Sequence, residues 1–200
     1  ENRDHKLRKE LLRDADYLLV HCGRMSPEKE PARSVQAVSE LVKAGINVRL
    51  IIVGGGPLWH KIRKQSLGLP IEMLGYVASR GKVASYLAAA DIAIAPGPLE
   101  TFCLSALESL ASGTPVVASK SSAVGEILNI NSMKPAGAVA SDNGAEFAIA
   151  IRQLLNKGRL RKVAREQAEK FSWANTVDAM LDVHGAKQPM VTTKRRLKVA

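Results

Sequence analysis

Aromatic side chains make up only 4% of the 200 residues, cysteine occurs twice and histidine four times. The scarcity of rings removes the stacking platform that single-strand nucleic-acid binders interleave with their cations; Phe171 and Trp173 merely follow a basic run. No helix-turn-helix or zinc-finger pattern is present, so nucleic acid is not an expected partner. Cys22 and Cys103 have no metal-ligand spacing and read as reduced, intracellular thiols. No apolar run approaches the roughly 20 residues a spanning helix needs, and the opening ENRDHKLRKELL is too charged for a signal peptide. These absences predict a soluble, cytoplasmic chain, or one held at the inner face of a membrane only by its surface.

Acidic residues are also in the minority, 19 against 29 Lys and Arg, giving a net charge of +10 and a pI near 9.8. Phosphorylated ligands and anionic membranes suit such a chain. Much of the excess falls late, in Lys157–Lys170 and in a tail with Lys187, Lys194, Arg195, Arg196 and Lys198, which reads as a solvated basic surface and a candidate membrane contact. Apolar content of 46%, mostly Ala, Val, Leu and Ile, can bury one good core of helices on parallel strands.

Strand and helix signals alternate along the chain. Compact apolar runs at 17–22, 48–53, 71–74, 91–95, 116–118 and 137–140 predict six strands. Helices are expected at 4–14, 31–44, 58–65, 82–90, from Leu104 to Ala111, and at 143–156, 159–170 and 173–184. In the helix at 31–44, Val35, Val38, Leu41 and Val42 are assigned to one face. The alternation predicts a Rossmann-like, doubly wound parallel α/β sheet with helices on both faces, over residues 1–184, followed by a basic tail at 185–200. Ligands of such sheets bind beyond the carboxyl ends of the strands. The loops at Gly23–Lys29, Gly54–Pro57, Gly75–Lys82 and Pro96–Thr101 therefore share one rim.

The richest of these is PGPLETFCLSALESLASGTPVVAS, Pro96 to Ser119. Thr101 is expected to cap the helix, whose free amides and partial positive charge suit a phosphate. Glu100 stands at its mouth, and Glu108 lies roughly 10 Å further along the axis. An elongated nucleoside diphosphate joined to a sugar could meet one carboxylate at each end. In the loop GRMSPEK, Arg24 and Lys29 could hold a diphosphate. Gly54-Gly55-Gly56 reads as a tight turn first and a ligand wall second.

The string ETFCLSALESLASGTPVVA resembles the E-x7-E signature of group 1 retaining glycosyltransferases of the GT-B fold, a family that includes GDP-mannose-dependent α-mannosyltransferases. The loop at Gly23–Lys29 is similar to the family's G-R-x-x-x-x-K-G element, with Glu30 where glycine is usual. Leu74-Gly75-Tyr76-Val77 resembles its L-G-x-V stretch, and Gly54–Pro57 its V-G-x-G-P. Ser119–Leu128 departs from the usual G-G-x-P-E-I, keeping only Glu126 and Ile127.

The resemblance implies roles. Glu100, Arg24 and Lys29 would be catalytic, Glu100 holding sugar hydroxyls and the two cations stabilising the leaving diphosphate. Gly23, Gly55, Val77, Lys82, Thr101, Phe102, Cys103, Leu104 and Glu108 would bind the donor, with Glu108 on the ribose and Val77 and Lys82 at the base. Cys103 stands where glycine is common. No metal is expected, since no Asp-x-Asp pair occupies a rim loop, and no cofactor beyond the nucleotide-sugar. The likeness covers roughly 4–184 and only the donor-binding half of the fold. It implies a second domain carrying the lipid or glycan acceptor site, without which this half would be inactive. His5, His21, His60 and His184 take no catalytic role; His21, in a strand, reads as a core or rim residue. GDP-mannose is the expected donor, with a UDP-sugar such as UDP-glucose as the alternative. A stand-alone nucleotide- or nucleic-acid-binding module is the reading from another class.

Overall fold

The structure is a computed structural model that describes residues 4–157 and 160–185. The six apolar runs form six strands, β1 Tyr17–Cys22, β2 Val48–Val53, β3 Ile71–Gly75, β4 Ile92–Ala95, β5 Val116–Ser119 and β6 Gly137–Ala140. They make one parallel sheet in the order β3-β2-β1-β4-β5-β6. Its helices are α1 His5–Leu12, α2 Pro31–Lys43, α3 Trp59–Gln65, α4 Arg80–Ala89, α5 Leu104–Ala111, α6 Val124–Ile127, α7 Gly144–Leu155 and α8 Leu160–Glu169.

Helices α2, α3 and α7 pack as one layer, and α1, α4, α5 and α8 as another. Strands β1, β2, β4 and β5 are largely buried on both faces, which is why they read as compact apolar runs, while the edge strand β3 is half-buried. Leu19, Leu41, Leu50, Ile52, Ile62 and Phe147 anchor the core. Val35, Val38 and Leu41 of α2 point into it, but Val42 is 41% exposed and does not belong to that face. One residue past Leu41 is a 100° turn, which carries Val42 toward solvent.

Strand β1 lies between β2 and β4, so the winding reverses beside it. A crevice opens at such a switch point, beyond the carboxyl ends of the two neighbouring strands. The loops after β1 and β4 are therefore the ones brought together.

Two local readings need correction. Thr101 does not cap α5: the helix begins at Leu104, its cap position is Cys103, and no side chain caps it. Helix α4 begins at Arg80 rather than Lys82, because the Ser79 hydroxyl accepts from the Lys82 amide and starts the helix earlier. A 3-10 turn at Pro27–Lys29 and the four-residue α6 are too short to leave a periodic signal.

The chain divides into two compact units, Glu1–Glu169 and Lys170–Ala200. The second unit holds α9, Trp173–Val183, which buries none of its residues and is capped by Ser172 accepting from the Asn175 amide. The basic tail beyond Gly185, with Lys187, Lys194, Arg195, Arg196 and Lys198, lies outside the described residues.

Candidate active site

At the switch point the Lys29 ammonium donates to the Glu100 carboxylate at 2.5 Å, a pair largely shielded from solvent. The two loops meet backbone to backbone beside it. A Cβ on Gly97 would stand 2.9 Å from the carbonyl oxygen of Glu28, so only glycine permits this approach. Glu100 is held from behind as well, its carbonyl accepting from the Ala123 amide at the start of α6. Thr101, Phe102 and Leu104 are exposed around the α5 mouth. With no side-chain cap, the first-turn amides of Leu104 and Ser105 remain available to an anionic ligand.

Two non-glycine residues adopt left-handed backbone here, Glu30 with φ 46° and Cys103 with φ 59°. These are the two positions where the family pattern has glycine. The loops keep the conformation glycine would favour and accept a strain on the order of 1 kcal/mol at each. Cys103 is buried, and burial raises its thiol pKa above the ordinary value. It carries no signature of a nucleophile.

Arg24 does not approach Lys29's partner. It is exposed and pairs with Glu28 at 3.0 Å, while the Ser26 hydroxyl donates to the same carboxylate at 2.7 Å. That hydroxyl, above all, lowers the Glu28 pKa. A diphosphate entering the loop would therefore exchange with Glu28 for Arg24. Gly23 and Gly55 act through the backbone: Gly23 N–H donates to Val53 O, and Gly55 O accepts from Met25 N–H at 2.9 Å. At Gly54, with φ 136°, a Cβ would stand 1.9 Å from Gly23 O. The glycine turn thus buttresses the loop at Gly23–Lys29.

Sequence reasoning missed Arg33 and Asp142. Arg33, in the first turn of α2, is 8% exposed and donates to the carbonyl of Pro96 and to Asp142 at 3.2 Å, with its guanidinium 5.9 Å from the Phe147 ring. Ser119 and Ser121 also donate to Asp142. Burial pushes the Asp142 pKa up, but the two hydroxyls and the Arg33 charge outweigh it, and the carboxyl titrates below its ordinary value. This network ties the exits of β4, β5 and β6 to α2. Its one sequence signal is a cation in the first turn of a helix, where the dipole disfavours it unless a partner is fixed.

Glu108 faces an open groove of about 1210 Å³, whose lining includes Tyr76, Val77, Arg80 and Arg161. Val77 and Glu108 both line it. Lys82 is not on the lining; its ammonium stands 5.9 Å from the Tyr86 ring. Within Lys157–Lys170, Lys157, Lys162, Arg165 and Lys170 are exposed as a solvated basic surface requires, and Arg161 departs from that reading. Arg161 donates to the carbonyls of Ala88, Ala90 and Ser112, and Arg165 to that of Ala111. Both close the carboxyl ends of α4 and α5, where a cation complements the dipole.

His21 is a core residue, 2% exposed, its Nδ1 2.9 Å from the Ser34 hydroxyl. Burial, with the nearby Lys29 charge adding to it, lowers its pKa to about 4, so the ring is neutral. Burial first, then Glu108 and Cys103, pushes the Cys22 thiol up to about 11.

Residues 2–171 match the model of the family described as glycosyl transferases group 1. The chain belongs to that family. It is 45% identical over 171 residues to the GDP-mannose-dependent alpha-(1-6)-phosphatidylinositol dimannoside mannosyltransferase of Mycobacterium tuberculosis, an alignment covering 84% of this chain and 44% of the relative. It is 30% identical to the D-inositol 3-phosphate glycosyltransferase of Saccharomonospora viridis, over 84% of this chain and 42% of that protein. The chain thus spans less than half the length of these relatives. Among solved structures, HepE of Anabaena in complex with UDP superposes with a TM-score of 0.75 at 21% identity, covering 91% of this chain and 52% of that one. The catalytic domain of the Helicobacter pylori cholesterol-alpha-glucosyltransferase gives 0.66 at 21% identity, covering 78% of this chain and 99% of that one. These likenesses show the fold, the Rossmann-like half of GT-B, for this member of the glycosyltransferase family.

Proposed function

We propose that this chain is the donor-binding domain of a retaining mannosyltransferase that uses GDP-mannose and works at the cytoplasmic side of a membrane, on a lipid or glycan acceptor. The carrying observation is the arrangement of Lys29 paired with Glu100 at the switch point and Glu108 set about one turn into α5, in the groove. The diphosphate would lie over Lys29, Arg24 and the α5 amides, the sugar at Glu100, and the ribose on Glu108. Val77 would stand by the base. Lys29 is the group that takes up charge on the departing phosphate, and Arg24 joins it by leaving Glu28. With no paired nucleophile at the reacting carbon, retention implies displacement on one face, the leaving phosphate assisting the acceptor hydroxyl. The 45% identity to a relative named for GDP-mannose supports the donor.

Acceptor and donor must be held together in a closed cleft, and orientation of that kind accounts for roughly 7–11 kcal/mol of barrier. One domain supplies one wall, so this chain alone is expected to bind donor and transfer nothing. Calorimetric titration with GDP and UDP tests the donor, and incubation with labelled GDP-mannose and a lipid extract tests the half-enzyme. Tighter UDP binding would favour a UDP-sugar, the reading that a neighbour crystallised with UDP supports. Turnover above a Glu100→Ala control would overturn the need for a second domain. GDP affinity is expected to be unchanged by chelator, since the groups proposed to hold the phosphates are Arg24, Lys29 and backbone amides.

A further inference from the structure

The sequence places the candidate membrane contact on Lys157–Lys170, but those cations are largely engaged. Arg161 and Arg165 hold helix carbonyls, Lys162 faces Glu166 at 3.7 Å, and Arg165 also pairs with Glu169. The edge of the sheet at β3 is the opposite case. From Gly54 to Ala90 the only acidic residue is Glu72, and it is already paired with Arg13 and Arg49. The same stretch carries Lys61, Arg63, Lys64, Arg80 and Lys82, all exposed. Among the described residues none of these five is in an ion pair.

The placement of Lys61, Arg63 and Lys64 follows from α3. Ile62 is fully buried, which turns His60, Lys61, Arg63 and Lys64 to solvent. Two large apolar side chains stand out beside them, Leu67 at 74% and Tyr76 at 81% exposure. Tyr76 is close to the start of α3: its Cβ lies 3.9 Å from where a Cβ on Gly55 would be, and the ring of Trp59 reaches within 3.8 Å of that position on Gly75. Unpaired cations flanked by exposed apolar side chains are the makeup of an interfacial surface.

We infer that α3 and the adjoining β3 edge dock on an anionic lipid bilayer. Clusters of several Lys and Arg are drawn to a negatively charged leaflet, and Leu67, just past the end of α3, enters the headgroup region where apolar side chains are favoured. Nucleic acid fits less well, because a single exposed ring, Tyr76, beside these cations does not make the series of stacking platforms that successive bases need. The inference stands without the GDP-mannose reading, since a lipid surface is held by these residues whatever the sugar.

Flotation of the whole chain with phosphatidylcholine vesicles, with and without phosphatidylglycerol, tests it. Binding is expected only with the anionic lipid and to weaken with salt. The triple variant K61E/R63E/K64E should lose about tenfold or more in vesicle affinity while K194E/R195E/R196E in the tail loses much less. GDP affinity of the α3 variant should match the wild type, which separates failure of this surface from failure of the donor reading and shows that the variant is folded. Equal binding to neutral vesicles, or loss confined to the tail variant, would overturn the inference. So would a larger loss of affinity for a short RNA than for vesicles, which would make the face a nucleic-acid surface.

Discussion

Lys29 and Glu100 are 71 residues apart in the chain and form one ion pair, each supplied by a loop that leaves a strand beside the switch point. In the free protein each neutralises the other. On the proposed function, a bound diphosphate would give Lys29 a second anion and free Glu100 for the sugar hydroxyls.

Lys29→Met should weaken GDP far more than guanosine, since only the diphosphate presents the charge the ammonium holds; about 1.5–3 kcal/mol is expected. Arg24→Met should act in the same direction and more weakly, because Arg24 must first leave Glu28. Equal losses for both ligands would place the effect on folding.

Glu108→Ala should cost GDP about 1–3 kcal/mol through lost charge-assisted hydrogen bonds to the ribose. The 2′,3′-dideoxy nucleotide supplies the control: it should bind the wild type and the variant alike. An undiminished affinity of the wild type for that analogue would remove the ribose role.

Glu30→Gly should stabilise the fold by up to about 1 kcal/mol, because glycine adopts the left-handed conformation without the Cβ penalty. Thermal unfolding of the two proteins measures it, and a lowered midpoint would show that Glu30 contributes contacts worth more than the strain. Gly54→Ala should do the reverse, by several kcal/mol on the order of a severe core change, since its Cβ would meet Gly23 O at 1.9 Å.

His21 accepts its proton at about 4 when folded and near 6.5 when exposed. As pH falls the unfolded chain is protonated first, so this residue's contribution is intact above 6.5, declines between 6.5 and 4, and is constant below. The loss amounts to about 3 kcal/mol. Unfolding free energies of wild type and His21→Gln across that window should converge as pH falls; parallel curves would show that the buried ring does not titrate.

Apolar runs such as YLLVHC and VRLIIV determined strands β1 and β2 to the residue, because a strand buried on both faces leaves no other reading of a short unbroken run. The alternation of strand and helix determined a parallel sheet, and the spacing of Glu100 and Glu108 determined two carboxylates on one helix-bearing stretch. Chain order, however, says nothing of which strands are neighbours. Only the tertiary structure set β1 against β4, and with it Lys29 against Glu100. The same holds for Arg33, whose partners Pro96 and Asp142 lie 63 and 109 residues away, and for Arg161, which reads as surface charge until α4 and α5 present their carbonyls to it. Local sequence reports helix and strand because those depend on neighbours within a turn. The ion pairs and capped carbonyls depend on groups that meet only when the sheet has closed around its core.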